Sequence, residues 1–403
     1  MIQFEEAYRI VMESAVELGG ETAPLFEACG RVLAEDIASD IDMPPFDKSA
    51  MDGYACRAED VRSQLEIVET IPAGRMPEKT IGPGQCAKIM TGGVVPEGAD
   101  CVVMVEHAEV SGGKVIVTKH TDALNICYRA EDVKTGDVVL RKGTLLSPSE
   151  IAVLAAVGRT EIPVSRRPVV GIVATGNELV DPSERPEAAA IRDSNRAQLF
   201  SQAVLAGCSP VDLGIVPDEP GAIAEVVERG ESNIDVFLFS GGVSMGEFDF
   251  VPRVLEERGF DLLFEKVAIK PGKPTVFGRK KGAFAFGLPG NPVSTFVVFE
   301  LFVRPFCYAL MGCGSTGFSI TAELAGTIRR KKSDRLAHFP VRLDADGKVR
   351  PVEYHGSAHI HAYAMADGFI SIPIGTTEMR AGAAVRVTLT RRTCGGRCEC
   401  RQD

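Results

Sequence analysis

The sequence predicts a multidomain α/β protein. A doubly wound α/β domain is expected beside a β-rich inserted domain, a helical N-terminal domain and a C-terminal β-barrel. Three observations predict it. Strand and helix patterns alternate from Arg167 to Gly314. Residues 41–136 are rich in Gly and Pro, carry only short apolar runs, and lie between two helical patterns. Beyond Gly314 the helical period fades into short alternating runs. The expected units are 1–40 with 137–166 (helical), 41–136 (β-rich insertion), 167–314 (α/β), 315–390 (barrel) and a cysteine-containing tail at 391–403. A length of 403 residues suits several domains at about 150 residues each.

Each element has a local cause. Phe4, Ala7, Val11, Ala15 and Leu18 recur at helical spacing, and Gly19-Gly20 stop the helix. In the insertion, Cys101 to Val105 and Val115 to Val117 read as strands, and Ser111-Gly112-Gly113 as a hairpin turn. Ser147-Pro148-Ser149-Glu150 offers a cap, a first-turn proline and a capping box for a helix through Val157, closed by Gly158. Val169 to Ala174 is a continuous apolar strand. A helix follows over Asn195 to Ala206, then a strand over Val211 to Val216. A short helix over Glu219 to Glu228 has Asp218 as its expected cap. Asp235 to Phe239, Leu262 to Ile269 and Ala283 to Phe286 are further strands, and Pro292 to Leu310 a long apolar helix. In the last unit, Asp344-Ala345-Asp346-Gly347 marks a turn between short strands.

Composition narrows the function. Forty-five per cent hydrophobic residues supply a core. Lys plus Arg is 44 against 55 for Asp plus Glu, a formal net charge of −11. That balance argues against a nucleic-acid partner and against an anionic membrane. A small anionic substrate then needs positive charge gathered locally. No apolar run is expected to reach the roughly 18 residues of a membrane span. The start MIQFEEAYRI lacks the positive charge of a secretory signal, so a cytoplasmic location is expected. The 11 cysteines are scattered through apolar stretches, as at Cys86, Cys101 and Cys307, and read as reduced thiols. Trp is absent and aromatics are 6%, which leaves no stacking platform for single strands.

In an open parallel sheet, ligands bind beyond the carboxyl ends of the strands. Three loops fall there: Thr175-Gly176-Asn177-Glu178-Leu179, Ser240-Gly241-Gly242-Val243-Ser244-Met245-Gly246, and Gly287-Leu288-Pro289-Gly290-Asn291-Pro292. Glycines let backbone N–H groups approach an anion, and a helix from Pro292 would aim its positive end there. Lys270-Pro271-Gly272-Lys273-Pro274 adds two lysines on a stiff segment, a candidate phosphate clamp. Glu178 and Asp249 each follow a glycine-rich loop on that edge; paired carboxylates beside phosphate suggest Mg2+. Asp249 equally suits a helix cap.

The insertion holds Met43 to Ala55, a segment with neither period that reads as a functional loop or as a linker. Thr91-Gly92-Gly93 with Pro96 to Asp100, and Glu131-Asp132, are further such spots. His355, His359 and His361 lack metal spacing for a β region. Cys394, Cys398 and Cys400 are three thiols without a fourth ligand near in sequence, which reads as a disordered, reduced tail.

Taken in order, these segments resemble the MoeA/gephyrin E-domain family, the molybdopterin molybdenumtransferases. The match runs from about residue 1 to about 390 and includes PPFDKSAMDGYA (44–55), MTGGVVPEGAD (90–100), TGNEL (175–179), SGGVSMGEFD (240–249), KPGKP (270–274) and LPGNPVS (288–294). The resemblance implies a homodimer that inserts molybdate into adenylylated molybdopterin and releases AMP with Mg2+ assisting. It implies active-site roles for Asp52, Thr91, Asp132, Glu178 and Asp249, with Glu178 and Asp249 toward the metal. It implies pterin-phosphate roles for Lys270, Lys273, Pro289 and Pro292. The glycine loops add Gly241, Gly242, Ser244, Gly290, Asn291 and Ser294 to the binding set. Arg335 and His355-Gly356-Ser357 resemble the contribution of the family's fourth domain. The adenylyltransferase that precedes it in the pathway is a further expected partner.

The chain departs from the family at several points. Cys127 stands where Arg is usual, Ala130 where Gly is usual, and His355 where Gln is common. Arg129 either reaches the place of the missing Arg or one anion contact is lost. The cysteine tail lies outside the pattern. Rival readings are the preceding adenylyltransferase, a pterin-binding or scaffold paralogue, and tungstate insertion.

Overall fold

The computed structural model of the chain describes residues 1–390 apart from 188, 245, 247, 248 and 315–317. The cysteine tail lies outside the described residues.

The α/β unit holds a six-stranded sheet. Its order across is Ser209–Val216, Val169–Thr175, Val236–Ser240, Ala283–Leu288, Val276–Lys280, Asp261–Phe264. The first four strands are parallel; Val276–Lys280 is antiparallel to both of its neighbours, so Asp261–Phe264 again runs with the first four. Val236–Ser240 reads as a continuous apolar run because all five residues are buried between helical layers. Phe299, Phe302 and Phe306 cover one face; Val226, Val227, Val254 and Leu255 cover the other. Ring centroids at 4.7 Å (Phe277–Phe286) and 4.8 Å (Phe284–Phe306) show how tightly the first face packs. From Val169–Thr175 the chain moves out to the edge strand, then back across to Val236–Ser240. Strand order therefore reverses between these two, which opens a crevice at their carboxyl ends.

Several elements differ from expectation. The first helix ends at Glu13, not Leu18. The Ser14 hydroxyl donates to Ile10 O at 2.7 Å, and an extended stretch carries Leu18 to the α/β unit, where its N–H donates to Leu310 O at 2.8 Å. The helix itself joins the α/β core through Ala7 and Val11, with Phe4 5.3 Å from Phe302. What pairs residues 20–40 with 137–166 is extended chain: Gly20–Pro24 with Glu161–Ser165, and Ile37–Ala38 with Val138–Leu140. Helix Pro148–Ala156, with the capping box in place, is the one regular α-helix there among the described residues. Helix Pro220–Gly230 starts on Glu219, so Asp218 does not cap it. Strand Val276–Lys280 and helix Ile360–Met365 carry no clear sequence signal.

The expected strand over 262–269 splits. Asp261–Phe264 stays at the sheet edge, while Ile269–Lys270 crosses to pair in parallel with Leu336–Leu343. The apolar helix Pro292–Leu310 is long and apolar enough to span a membrane, against expectation, but 78% of it is buried inside the protein. It is a core rod with a π turn at Phe299–Val303, and Glu300 pairs with Arg304 inside it.

The C-terminal strands run Leu336–Leu343, Gly368–Ile372, Ala384–Leu389, Ser319–Glu323. Val349–Pro351 pairs back onto Leu336–Leu343. The bridge Leu324↔Val349, with Ala325 N–H donating to Val349 O at 2.7 Å, closes the ring around Leu324, Val341, Ile370 and Val387. A barrel results.

The insertion is a second six-stranded sheet, with the expected hairpin turn at Gly112-Gly113. Its three loop segments are knitted together by backbone. Ser49 N–H donates to Gly93 O, Gly92 N–H to Ser49 O, Ala50 N–H to Asn125 O, and Ala130 N–H to Pro44 O, all within 3.0 Å. Met43 to Ala55 is thus an anchored loop and not a linker. Ala130 sits at φ 60°, in the left-handed region. That explains the family's usual glycine there, since a Cβ costs about 1–2 kcal/mol in this conformation. Ala130→Gly is therefore expected to stabilise the fold by up to about 1 kcal/mol, part of the relief being lost to glycine's larger unfolded-state entropy. Urea denaturation checks this; a lower midpoint would count against the strain.

Candidate functional site

The crevice between Val169–Thr175 and Val236–Ser240 is a cleft of about 720 Å³. Gly241, Gly242, Ser244, Pro289, Gly290, Asn291 and Pro292 line it with Glu178, Asp218 and Asp249. A second cleft of about 590 Å³ adjoins it and shares Pro274, Pro289 and Asn291. Lys270, Lys273, Ser294, Arg335 and Ser357 line the second. The sequence-derived set thus falls into two neighbouring clefts. Asp52, Thr91 and Asp132 line neither.

The first cleft depends on close backbone approach. Gly241 has φ 101° and Gly242 φ 64°. A Cβ on Gly241 would lie 2.4 Å from Thr175 O, and one on Gly242 2.8 Å from Thr175 Oγ1. Gly241 N–H donates to Leu288 O at 3.0 Å, binding two loops together. Asn195, at the head of helix Asn195–Leu205, donates from Nδ2 to Ser240 Oγ (2.8 Å) and to Gly290 O (2.7 Å), tying both loops to that helix. Thr175 Oγ1, Asn195 Oδ1 and Asp218 Oδ1 are buried at this cleft without a well-formed hydrogen bond to the described residues, the Thr175 hydroxyl facing the Asp218 carboxyl. Buried polar atoms without a partner are costly, so three in one cleft mark a place shaped for a polar ligand.

The carboxylates are not caps. Asp249 Oδ2 accepts the Gly246 N–H at 2.6 Å and closes the glycine loop; helix Val251–Glu257 begins on Phe250 without a side-chain cap. Burial pushes the Asp218 carboxyl above the usual range; the charges of Glu178 and Asp249 add to the shift, against a backbone hydrogen bond from Asn177. Three carboxylates feeling one another across a cleft suit a cation. Among the described residues no three acidic, His or Cys side chains converge as a ready-made metal cage.

The second cleft is the opposite in charge. Arg329, Arg330 and Lys331 join Lys270, Lys273 and Arg335 there, and no Asp or Glu lines it. Arg330 is structural: Nε donates to Thr376 O and Nη1 to Arg335 O, at 2.6 and 2.7 Å. Burial pushes the His338 imidazole down to about 3, so His338 adds no positive charge to this wall near neutral pH. Gly272, at φ 106°, seats the lysine segment against the core rod; a Cβ there would lie 2.6 Å from Val298 Cγ2. Thr275 Oγ1 donates to Gly272 O at 2.6 Å and fixes the turn.

On the insertion, Asp52 Oδ1 accepts both the Thr91 N–H (2.7 Å) and the Thr91 hydroxyl (2.8 Å). These bonds, the backbone one first, hold the Asp52 carboxyl below its usual range. The two are one exposed unit. Asp132 is exposed nearby, its N–H on Met43 O at 3.1 Å. Arg129 is tied to Asp42 through its Nε at 2.6 Å.

Sequence reasoning missed Thr175, Asn195, Asp218 and the Arg329–Lys331 run. The run of four cations at 329–332 and the Asp193-Ser194-Asn195 lead into a helix were the available signals. Gly241→Ala is expected to cost about 1–3 kcal/mol of stability and to close the crevice to pterin ligands. Thermal melting with calorimetry checks both; unchanged binding would show that the close approach is dispensable.

Comparison with known proteins agrees with this geometry. The family model described as MoeA N-terminal region (domain I and II) matches residues 2–158. The probable molybdopterin binding domain matches 171–309, and the MoeA C-terminal region (domain IV) matches 322–390. A Bacillus subtilis protein named molybdopterin molybdenumtransferase is 37% identical over 98% of this chain and 95% of its own length. A Staphylococcus epidermidis protein of the same name is 36% identical over 96% of both chains. The crystal structure of the molybdopterin biosynthesis moeA protein from Pyrococcus horikoshii superposes with a TM-score of 0.84, at 32% identity over 96% of this chain and all of that one. With three models in order along its length and full-length relatives of one name, the chain belongs to the MoeA family, the molybdopterin molybdenumtransferases.

Proposed function

We propose that this chain inserts molybdenum from molybdate into adenylylated molybdopterin, releasing AMP and finished cofactor. One observation carries the reading: a glycine-walled, carboxylate-bearing crevice at the strand reversal adjoins a cleft lined by six Lys and Arg side chains and no carboxylate. The first suits a diphosphate, with backbone N–H groups facing the phosphates. Glu178 and Asp249, with Asp218 beside them, would hold Mg2+. The ion, when bound, offsets diphosphate charge and eases displacement at phosphorus. Lys270, Lys273 and Arg335 hold a tetrahedral oxyanion, a pterin phosphate or molybdate itself, as charge-assisted donors. Asp218, on the wall of the same cleft, is placed to take up a proton as oxo groups leave as water. Eight free thiols among the described residues support a reducing, cytoplasmic setting. The adenylyltransferase that makes the substrate is the natural transient partner.

The exposed Asp52–Thr91 unit supports a homodimer. It lines neither cleft of its own chain, so a second copy is the source that would complete a composite site.

Two experiments test this. The first supplies adenylylated molybdopterin, Mg2+ and molybdate and follows AMP, with tungstate as a second arm. Asp249→Asn keeps an acceptor for Gly246 N–H; it should bind pterin yet release AMP far more slowly, and near-normal release at limiting Mg2+ would remove the metal role. Lys270→Ala with Lys273→Ala should weaken oxyanion-ligand binding by roughly 1.5–3 kcal/mol per charged hydrogen bond, read by calorimetry. The second mixes Asp52→Ala with Asp249→Ala chains, each inactive alone. Recovered activity after subunit exchange is expected, since one intact composite site forms per mixed dimer. No recovery despite demonstrated exchange would overturn the shared site.

A further inference from the structure

The first cleft is acidic. Glu178, Asp218 and Asp249 line it, and a fourth carboxylate on its wall, Asp193, is buried and paired with Arg196 at 3.0 Å. Among the described residues that line it, Arg192 is the one Lys or Arg. It was not among the residues that the motif segments singled out.

Arg192 has a rigid mount. Ile191–Arg192 pairs in parallel with Leu179–Val180. The Ile191 N–H donates to Glu178 O at 2.8 Å, and the Asp193 N–H to Val180 O at 2.9 Å. Arg192 thus shares a two-stranded ribbon with the segment that carries Glu178. One guanidinium clamps that ribbon. Arg196 holds Asp181 and Asp193, the residues that follow its two strands, at 3.1 and 3.0 Å, and reaches Asp212 of strand Ser209–Val216 at 2.9 Å. The ribbon is therefore fixed to the sheet edge.

The side chain itself is left with its charge unspent. Arg192 Nε donates to Glu184 O at 2.8 Å, which sets its direction. Both terminal nitrogens are without a partner among the described residues. A guanidinium has a planar fork of donors that matches two oxygens of one phosphate, which a point charge does not. Arg192 lies outside the wall of Pro274, Pro289 and Asn291 that the two clefts share.

We propose that Arg192 is a further anion-binding residue of the first cleft, and that its terminal nitrogens hold the phosphate farther from the cationic cleft, the one that leaves with AMP. The inference rests on the diphosphate reading given above. Three carboxylates facing one divalent cation leave the wall negative, and a diphosphate would meet repulsion there. The Arg192 guanidinium makes up the difference and adds charge-assisted hydrogen bonds.

The test uses calorimetry on the full chain, with ADP and MgCl2 as the diphosphate probe and AMP as the product probe. Wild type should bind both saturably. Arg192→Gln should weaken both at least tenfold. Arg192→Lys should recover part of the loss, since it keeps the charge and loses the fork. Thermal melts of both variants should match wild type, because Arg192 is exposed and its one hydrogen bond goes to a backbone oxygen. In the full reaction, Arg192→Gln should raise KM and slow AMP release. Unchanged nucleotide affinity in Arg192→Gln, beside wild-type binding that Gly241→Ala abolishes, would overturn the contact and leave the diphosphate reading standing. No binding of either nucleotide to wild type would overturn both. Equal losses in the Gln and Lys variants, with lowered melts, would assign Arg192 to holding the loop at Glu184 and overturn the proposal.

Discussion

The chain leaves the α/β sheet after Phe264, pairs Ile269 and Lys270 with Leu336 and Ala337 of the barrel, and returns at Val276. That short crossing fixes the barrel against the α/β unit through backbone hydrogen bonds, and the arrangement of both clefts follows from it. It brings Lys270 and Lys273 into one wall with Arg335 and Ser357, and the Val293 N–H, donating to Ser357 O at 3.0 Å, adds a second tie between the two units. Gly272 makes the crossing possible because the segment must lie against Val298 where no side chain fits. A hydrogen-bonded strand is also a rigid mount for charge, and rigidity lowers the ordering cost of gripping an anion.

Charge is then sorted by cleft. A protein with a formal net charge of −11 repels polyanions at long range, so the capture of one must be local. Placing carboxylates at the strand reversal and cations one wall away lets the same surface hold a cation and two anionic groups without mutual cancellation. His338, buried and neutral, separates the cationic wall from the core without adding a charge that would vary near neutral pH.

Much of this was legible in the sequence, for physical reasons. Val236 to Ser240 reads as a buried strand because nothing but a parallel sheet asks for so apolar a run, and the Ser147–Glu150 box states a helix start almost by itself. The motif segments named Glu178, Gly241, Gly242 and Asp249 of the first cleft and Lys270 and Lys273 of the second. The division between the clefts was not readable, because it arises from a crossing that looks like one uninterrupted strand at 262–269. Asp218 was read as a cap since it precedes a helix; only the reversal of strand order turns it toward Glu178 and Asp249. Ala130 shows the converse: a departure from the family pattern was visible, but its meaning lay in a backbone angle.

The core rod Pro292–Leu310 has a further consequence. Its first residue lines the glycine-walled crevice, while Arg304 and Tyr308 near its far end line a separate groove of about 620 Å³. Nineteen residues at about 1.5 Å each make a strut of about 28 Å between them. Wide π geometry at Phe299–Val303 is the compliant section of an otherwise stiff strut. Load applied at one end is therefore shared between the opposite end and that single turn, and the two surfaces are mechanically in series although no side chain belongs to both.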